Sequence, residues 1–327
     1  MSHMRHLKRL GEQFTISIQP DEDGFVGREC PAQNCQGYFK LQPGTGLKGE
    51  NLPCHCPYCG HVAKPTEFAT QEQIEFAKSV VIKQVTDAIR RDVQDWDREL
   101  RRSTRNSFIE MSVDYKGTSH PIRYYREKRL ETTVVCEKCT LRYAIYGVFA
   151  FCPDCGEHNS LKILDKNLEL AEKEIALADQ VDKDLAEHLI GDALENAVSA
   201  FDGFGRETCK VHASASTTPG RVENISFQNL GGVRQRIQDL FGFDLSSGVD
   251  AQEWNFACQC FQKRHLLAHK MGVIDQAYID ATHDPQAVIG RKISIDKNEA
   301  ASLIRVLRKL GAYLANSLSS APSPTTP

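Results

Sequence analysis

The sequence predicts an α+β multidomain chain: two small cysteine-bearing β modules joined by a long helix, followed by an all-α bundle. Three observations predict it. Nine of the twelve cysteines fall in two tight clusters, near residues 30–59 and 136–155. Between the clusters, Ile74, Val81, Ile82, Val85 and Ile89 recur at helical spacing through a polar stretch from about Phe68 to Arg105. From Asn167 to about Ser319 the chain is mostly helical in pattern. The 327 residues, 41% apolar and 25% charged, allow two or three domains, and a formal charge of −3 gives no global pull toward nucleic acid. The stretch Tyr143 to Cys152 is too short to span a bilayer. No charged-then-apolar segment opens the chain, so we expect a cytoplasmic protein without a membrane partner. Cysteine clusters in such a reducing setting point to metal rather than to disulfides.

The first cluster runs Cys30-Pro-Ala-Gln-Asn-Cys35, then Cys54-His-Cys56-Pro-Tyr-Cys59-Gly60-His61. It offers five thiols and two imidazoles for four places. The turn Cys56 to Gly60 repeats the form of Cys152 to Gly156, which favours Cys30, Cys35, Cys56 and Cys59 as ligands. Cys54, His55 and His61 are the spares. Gly44-Thr-Gly46-Leu-Lys-Gly49 has dinucleotide-binding spacing, but Pro53 and cysteines follow where a helix is required, so it reads as a hairpin loop.

Next comes a charge asymmetry. Arg98 to Arg129 holds nine basic and four acidic residues; Lys166 to Asp202 holds three basic and ten acidic. The basic stretch is either a solvated face or, with Tyr115, Tyr124 and Tyr125 interleaved, a surface that contacts a nucleic-acid backbone and stacks bases. The second cluster pairs Cys136-Glu-Lys-Cys139 with Cys152-Pro-Asp-Cys155 across twelve residues. A two-residue gap lets both thiolates of a tight turn face one ion, and the β-branched and aromatic residues between suit a strand pair. Four thiolates close a tetrahedral zinc site with no open position, which is the structural kind.

Both clusters resemble the zinc-ribbon family, over roughly residues 25 to 64 and 131 to 160. The expected layout is then zinc ribbon 1 over 24–64, a linking helix over 65–106, zinc ribbon 2 over 107–163, a helical domain over 164–320 and a disordered tail over 321–327. Two structural Zn2+ ions are expected, with no catalytic metal.

In the helical region the informative segment is Trp254 to Gly272. On a helical wheel Phe256, Ala257, Cys258, Cys260, Phe261, Leu267, Ala268 and Met271 fill one broad arc, and Lys263 falls on the polar side. Arg264 lies in the middle of the arc, His265 within it and His269 at its edge. A guanidinium cannot be neutralised, so on that face it needs a carboxylate, a subunit interface or a bound phosphate. Helix geometry alone ranks the internal salt bridge first. Cys209, Cys258 and Cys260 read as core thiols. The helices expected are Asn167 to Phe201 with a break near Asp182, Val233 to Phe241, Gln252 to Met271 and Lys297 to Leu318.

Arg264-His265-Leu-Leu-Ala-His269 resembles the Arg-x4–6-His motif of the HEPN superfamily, whose domains are helical bundles. Arg206 and His212 share the spacing, but they follow Gly203 and Gly205 at an apparent helix end. The resemblance implies a metal-independent endoribonuclease working as a homodimer through the helical domain. Arg264 would clamp the phosphate, His269 would act as acid or base, and His265 would orient them. It implies RNA as partner, 2′,3′-cyclic phosphate products, and a toxin or antiviral-defence role. The alternatives are a non-catalytic RNA- or nucleotide-binding module and a zinc-braced scaffold for a protein partner.

Overall fold

A computed structural model describes residues 4–49, 52–105 and 108–320; the expected tail, 321–327, lies outside them. The chain divides into two compact units, Met1–Glu157 and His158–Pro327. No helix among the described residues is long and apolar enough to cross a membrane.

In the first unit a five-residue helix α1 (Arg5–Arg9) precedes strands β1 (Val26–Glu29), β2 (Tyr38–Leu41), β3 (Cys54–His55) and β4 (Val62–Ala63). The long helix α2 (Gln71–Thr104) follows, then β5 (Thr132–Val135) and β6 (Arg142–Ile145). The two expected ribbons share one antiparallel sheet of order β1-β2-β6-β5, while β3 and β4 pair separately. The junction is β2 on β6, with Lys40 opposite Ala144 and Leu41 opposite Tyr143.

This arrangement is a local two-fold. The His55 N–H donates to the Pro153 carbonyl at 2.7 Å, and the Phe151 N–H donates to the Pro57 carbonyl at 2.8 Å. These bonds are images of each other: His55 and Phe151 each precede a Cys-Pro-x-Cys-Gly turn, and each proline is the second residue of one. The glycines ending the turns, Gly60 and Gly156, have φ of +70° and +69°. A Cβ on Gly60 would crowd the Phe151 ring, and one on Gly156 the His55 ring. Glycine is therefore required twice over, by backbone and by contact.

The region 108–131, expected as part of the second ribbon, carries no strand. It runs extended and antiparallel along α2, hooked by that helix's side chains. Asp97 accepts the Val113 N–H at 2.9 Å, Arg90 donates to the Gly117 carbonyl at 3.0 Å, and Ser79 accepts the Arg123 N–H at 3.0 Å. The expected apolar stripe on α2 is correspondingly weak. Its buried residues are Gln73, Ser79, Ala88 and Asp92, whereas Ile74 and Ile82 are exposed. Buried Asp92 accepts the N–H groups of His6 and Leu7 at 2.9 and 3.0 Å, which docks α1. Polar hooks rather than an apolar seam hold this helix.

The second unit contains α3 (Ser160–Leu177), α4 (Lys183–Val211), α5 (Leu230–Phe241), α6 (Ala251–Lys270), α7 (Gln276–Thr282) and α8 (Lys297–Ser320). The break expected near Asp182 is present. Asp182 caps α4 by accepting the Leu185 N–H at 3.1 Å, which ends the preceding helical run. The expectation of a helix end after Phe201 is wrong: α4 continues through Gly203 and Gly205 to Val211. Gly205 is there for packing, since a Cβ would lie 2.6 Å from the Phe227 ring. One apolar core joins α3, α4, α5, α6 and α8 around Phe201, Phe204, Phe227 and Phe261. A smaller cluster of Leu266, Ile274 and Tyr278 lies under the segment that follows α6.

Candidate functional site

The two cysteine clusters each gather four thiols. Cys30, Cys35, Cys56 and Cys59 form one group, and Cys136, Cys139, Cys152 and Cys155 the other. Within each group every Sγ lies within 4.8 Å of the rest. Pairs are 3.7 Å apart for Cys30–Cys59 and Cys35–Cys56, 3.6 Å for Cys136–Cys155 and 3.4 Å for Cys139–Cys152. A tetrahedron of thiolates around zinc, with bonds of about 2.3 Å, has edges of roughly 3.8 Å. Both donor sets fit a four-coordinate soft metal ion. Burial pushes the Cys30 and Cys139 thiols up to about 11, so a bound cation is what would favour their thiolate form.

The three spare ligands of the first cluster have other positions. Cys54 is buried, and that burial raises its thiol to about 12. The His55 Nδ1 lies 3.3 Å from the Pro153 carbonyl, and the His61 ring packs beside Phe68.

In the helical unit, Asp250 opens α6 as a capping box: its side chain accepts the Glu253 N–H at 2.8 Å and Glu253 returns the contact. The first turns bury Trp254, Ala257, Cys260 and Phe261 against the core. At its far end the helix turns over. The Gly272 N–H donates to the Leu266 carbonyl at 2.9 Å, with Met271 and Gly272 both left-handed, at φ of +53° and +76°. The chain then folds back over Leu266, through bonds from Ile274 N–H to the Arg291 carbonyl and from Ile293 N–H to the Gly272 carbonyl.

This changes which side of α6 is covered. In the first half the buried arc is the one centred between Ala257 and Phe261. In the last turns the same arc carries Arg264, Ala268 and Met271, with His265 and His269 on its flank. Ala268, His265 and His269 are exposed, and Met271 is 87% exposed. The His265 and His269 ring centroids are 4.8 Å apart. Arg264 is half-buried, and its Nε is enclosed without a hydrogen-bond partner.

The wheel mistook two neighbours. Lys263, expected on the polar side, is buried and its Nζ lies 2.5 Å from a Glu299 carboxylate oxygen. Arg264, for which a salt bridge ranked first, has no carboxylate partner among the described residues. The ion pair expected of Arg264 is made one residue earlier, because α8 approaches α6 from that side. A lysine three residues after a buried cysteine was the available signal, but a wheel gives angles and not neighbours.

The second Arg–His pair is placed differently. Arg206 lies within α4, 3.6 Å from Asp202, and burial lowers the His212 imidazole below its ordinary value. Cys209 and Cys260 are core thiols as expected, and Cys258 is partly covered. No protein-family model, curated protein or solved structure matches the chain.

Proposed function

We propose that the helical unit is a metal-independent endoribonuclease of the HEPN type, acting as a homodimer, and that both four-cysteine groups hold structural zinc. The observation that carries the first part is the uncovered end of α6. There an unpaired guanidinium and two neighbouring imidazoles share one exposed face. A half-buried arginine with no carboxylate partner is a poor structural element, and its fork of N–H groups suits a phosphate oxygen.

The chemistry follows from residue types. RNA supplies its own nucleophile, the 2′-OH beside the scissile phosphorus. An imidazole takes that proton as the 2′-oxygen bonds to phosphorus, and a second proton donor protonates the departing 5′-oxygen. The P–O5′ bond breaks, leaving a 2′,3′-cyclic phosphate and a 5′-hydroxyl. Arg264 holds the charge that builds on the non-bridging oxygens. His269 is the acid or base, and His265, beside it, sets its orientation. The partner copy supplies the second proton donor, because one helix end does not reach both sides of a phosphate. The exposed Ala268 and Met271 would form part of that dimer contact.

The zinc ions would be held by Cys30, Cys35, Cys56 and Cys59, and by Cys136, Cys139, Cys152 and Cys155. Their contribution would be to hold the knuckles closed; no step of the cleavage passes through them.

The test is incubation of the purified chain with end-labelled structured and unstructured RNA, without added divalent metal, beside His269→Ala. Cyclic-phosphate ends made by the wild type and absent from the mutant are expected. Binding without cutting by both proteins would move the reading to a non-catalytic RNA-binding module.

A further inference from the structure

The first unit contains a cleft of about 840 Å³ that neither the metal groups nor the α6 site accounts for. Its walls are the turn around Asp21–Phe25 and the extended segment 124–130, with Phe76 of α2 at its side. Three of its seven ionic groups are already committed. Lys40 is buried and lies 2.6 Å from Asp21. Glu127 accepts from the Tyr38 hydroxyl at 2.5 Å and from Gln73 at 3.2 Å. What remains open is Arg126 and Arg129 on one wall, and Glu22 and Asp23 on the other. Both arginines are exposed, and among the described residues neither has a carboxylate partner.

Tyr124 opens the wall that carries the two arginines. It is 80% exposed, yet its ring does not hang free: the Phe76 ring lies 6.1 Å away at an interplanar angle of 41°. Phe76 is in turn braced edge-on by Tyr125 at 5.8 Å. A large aromatic ring supported from within the fold and left open on its outer side is a stacking platform. The other two tyrosines of the basic stretch differ. Tyr115 lies under the Arg90 guanidinium at 5.7 Å, and Tyr125 is half-buried.

We infer that this cleft binds single-stranded RNA, stacking an unpaired base on Tyr124 and holding the flanking phosphates with Arg126 and Arg129. Those arginines are three residues apart on an extended segment, roughly 10 Å at Cα, and both line the cleft, so their long side chains can converge on neighbouring phosphates of one strand. Glu22 and Asp23 repel phosphate from the far wall and offer acceptors to base amino and imino hydrogens, which orients the strand across the cleft. A duplex keeps its bases stacked inside and presents none to Tyr124. The choice of RNA over DNA rests on the ribonuclease reading; the platform and its cations do not.

The experiment uses the full chain carrying His269→Ala, so that binding is read without cutting. Fluorescence anisotropy would follow a labelled single-stranded RNA of about 12 nucleotides, its DNA counterpart and the annealed RNA duplex. Single strands should bind more tightly than the duplex, with RNA at least equal to DNA. Tyr124→Ala should weaken single-strand binding by at least about fivefold, and Tyr124→Phe should restore it. Arg126→Ala with Arg129→Ala should reduce the salt slope by about 1.4, two phosphate contacts' worth. Wild-type affinity in Tyr124→Ala, equal binding of duplex, or an unchanged salt slope would each overturn the inference. No binding of any nucleic acid at low salt would overturn it too and leave the cleft to a protein partner. Binding that depends on Tyr124 in a chain that never cuts RNA would sink the nuclease reading and leave this one standing.

Discussion

The two units of this protein are held together by different means. The helical unit buries four phenylalanines and a run of leucines in one continuous core. In the cysteine-bearing unit, the comparable cluster consists in good part of the thiols themselves, with Phe39, Phe68, Leu141, Tyr143 and Ile145 around them. Its longest helix is fastened by single polar side chains. Each unit's stability must therefore come from a different source. Apolar burial serves the first; directed hydrogen bonds serve the second, and ions held by its two four-thiol groups would add ligand bonds.

Removing metal tests this contrast most directly. A strong chelator should abolish amide protection throughout Met1–Glu157 while the core helices of the other unit keep theirs. The expected effect is on the order of 10 kcal/mol, and hydrogen exchange resolved by peptide mass spectrometry would read it. Equal loss of protection in both units would remove the distinction.

Inside the helical unit, the neighbours Lys263 and Arg264 separate a group that holds the core from one that does not. Lys263→Ala leaves Glu299 enclosed without its cation and should cost roughly 3 kcal/mol in denaturant unfolding. Arg264→Ala should change stability by less than about 0.5 kcal/mol and abolish RNA cleavage. A reversal of the two outcomes would exchange their roles.

A smaller effect tests the polar hooks. Asp92→Ala strips the acceptor from two α1 amides, and should cost about 1–2 kcal/mol locally and free α1 to exchange. If α1 stays protected, contacts other than Asp92 dock it. The smallest concerns acid. The Arg234 guanidinium and the Ser246 N–H hold the Asp244 carboxyl down at about 2, below its ordinary value. A depressed carboxyl stabilises the fold above its unfolded pKa and loses that contribution as pH falls toward 2. Because the pair is partly exposed, the loss is expected to be below about 1 kcal/mol. It should vanish in Asp244→Asn when melting is compared between about pH 5 and about pH 2.5.

Much of this was legible in the sequence, for reasons specific to each element. The repeated Cys-Pro-x-Cys-Gly turn selected the four thiols that gather in the first cluster over Cys54, because identical turns present their sulfurs identically. The apolar arc that starts at Trp254 marked α6, and the periodicity of α8 carried its bounds to within two residues. The segment 108–131 was not legible. Its residues look like strand formers, and their partners are side chains of a helix, which no alternation encodes. The extension of α4 past Gly203 and Gly205 was hidden because glycine reads as a helix stop, whereas Phe227 requires one there. Lys263 was misplaced because a wheel has no knowledge of α8.

The exchanged bonds between the two Cys-Pro-x-Cys-Gly turns carry a consequence for how the unit assembles. Neither turn completes its backbone bonding until the other is formed, so an ion captured at one cage would preorganise the second. Loading should then be cooperative. A titration of the apo chain would pass from empty to doubly filled with little of the singly filled form, and a Cys152→Ala change would weaken capture at the remote cage as well as its own.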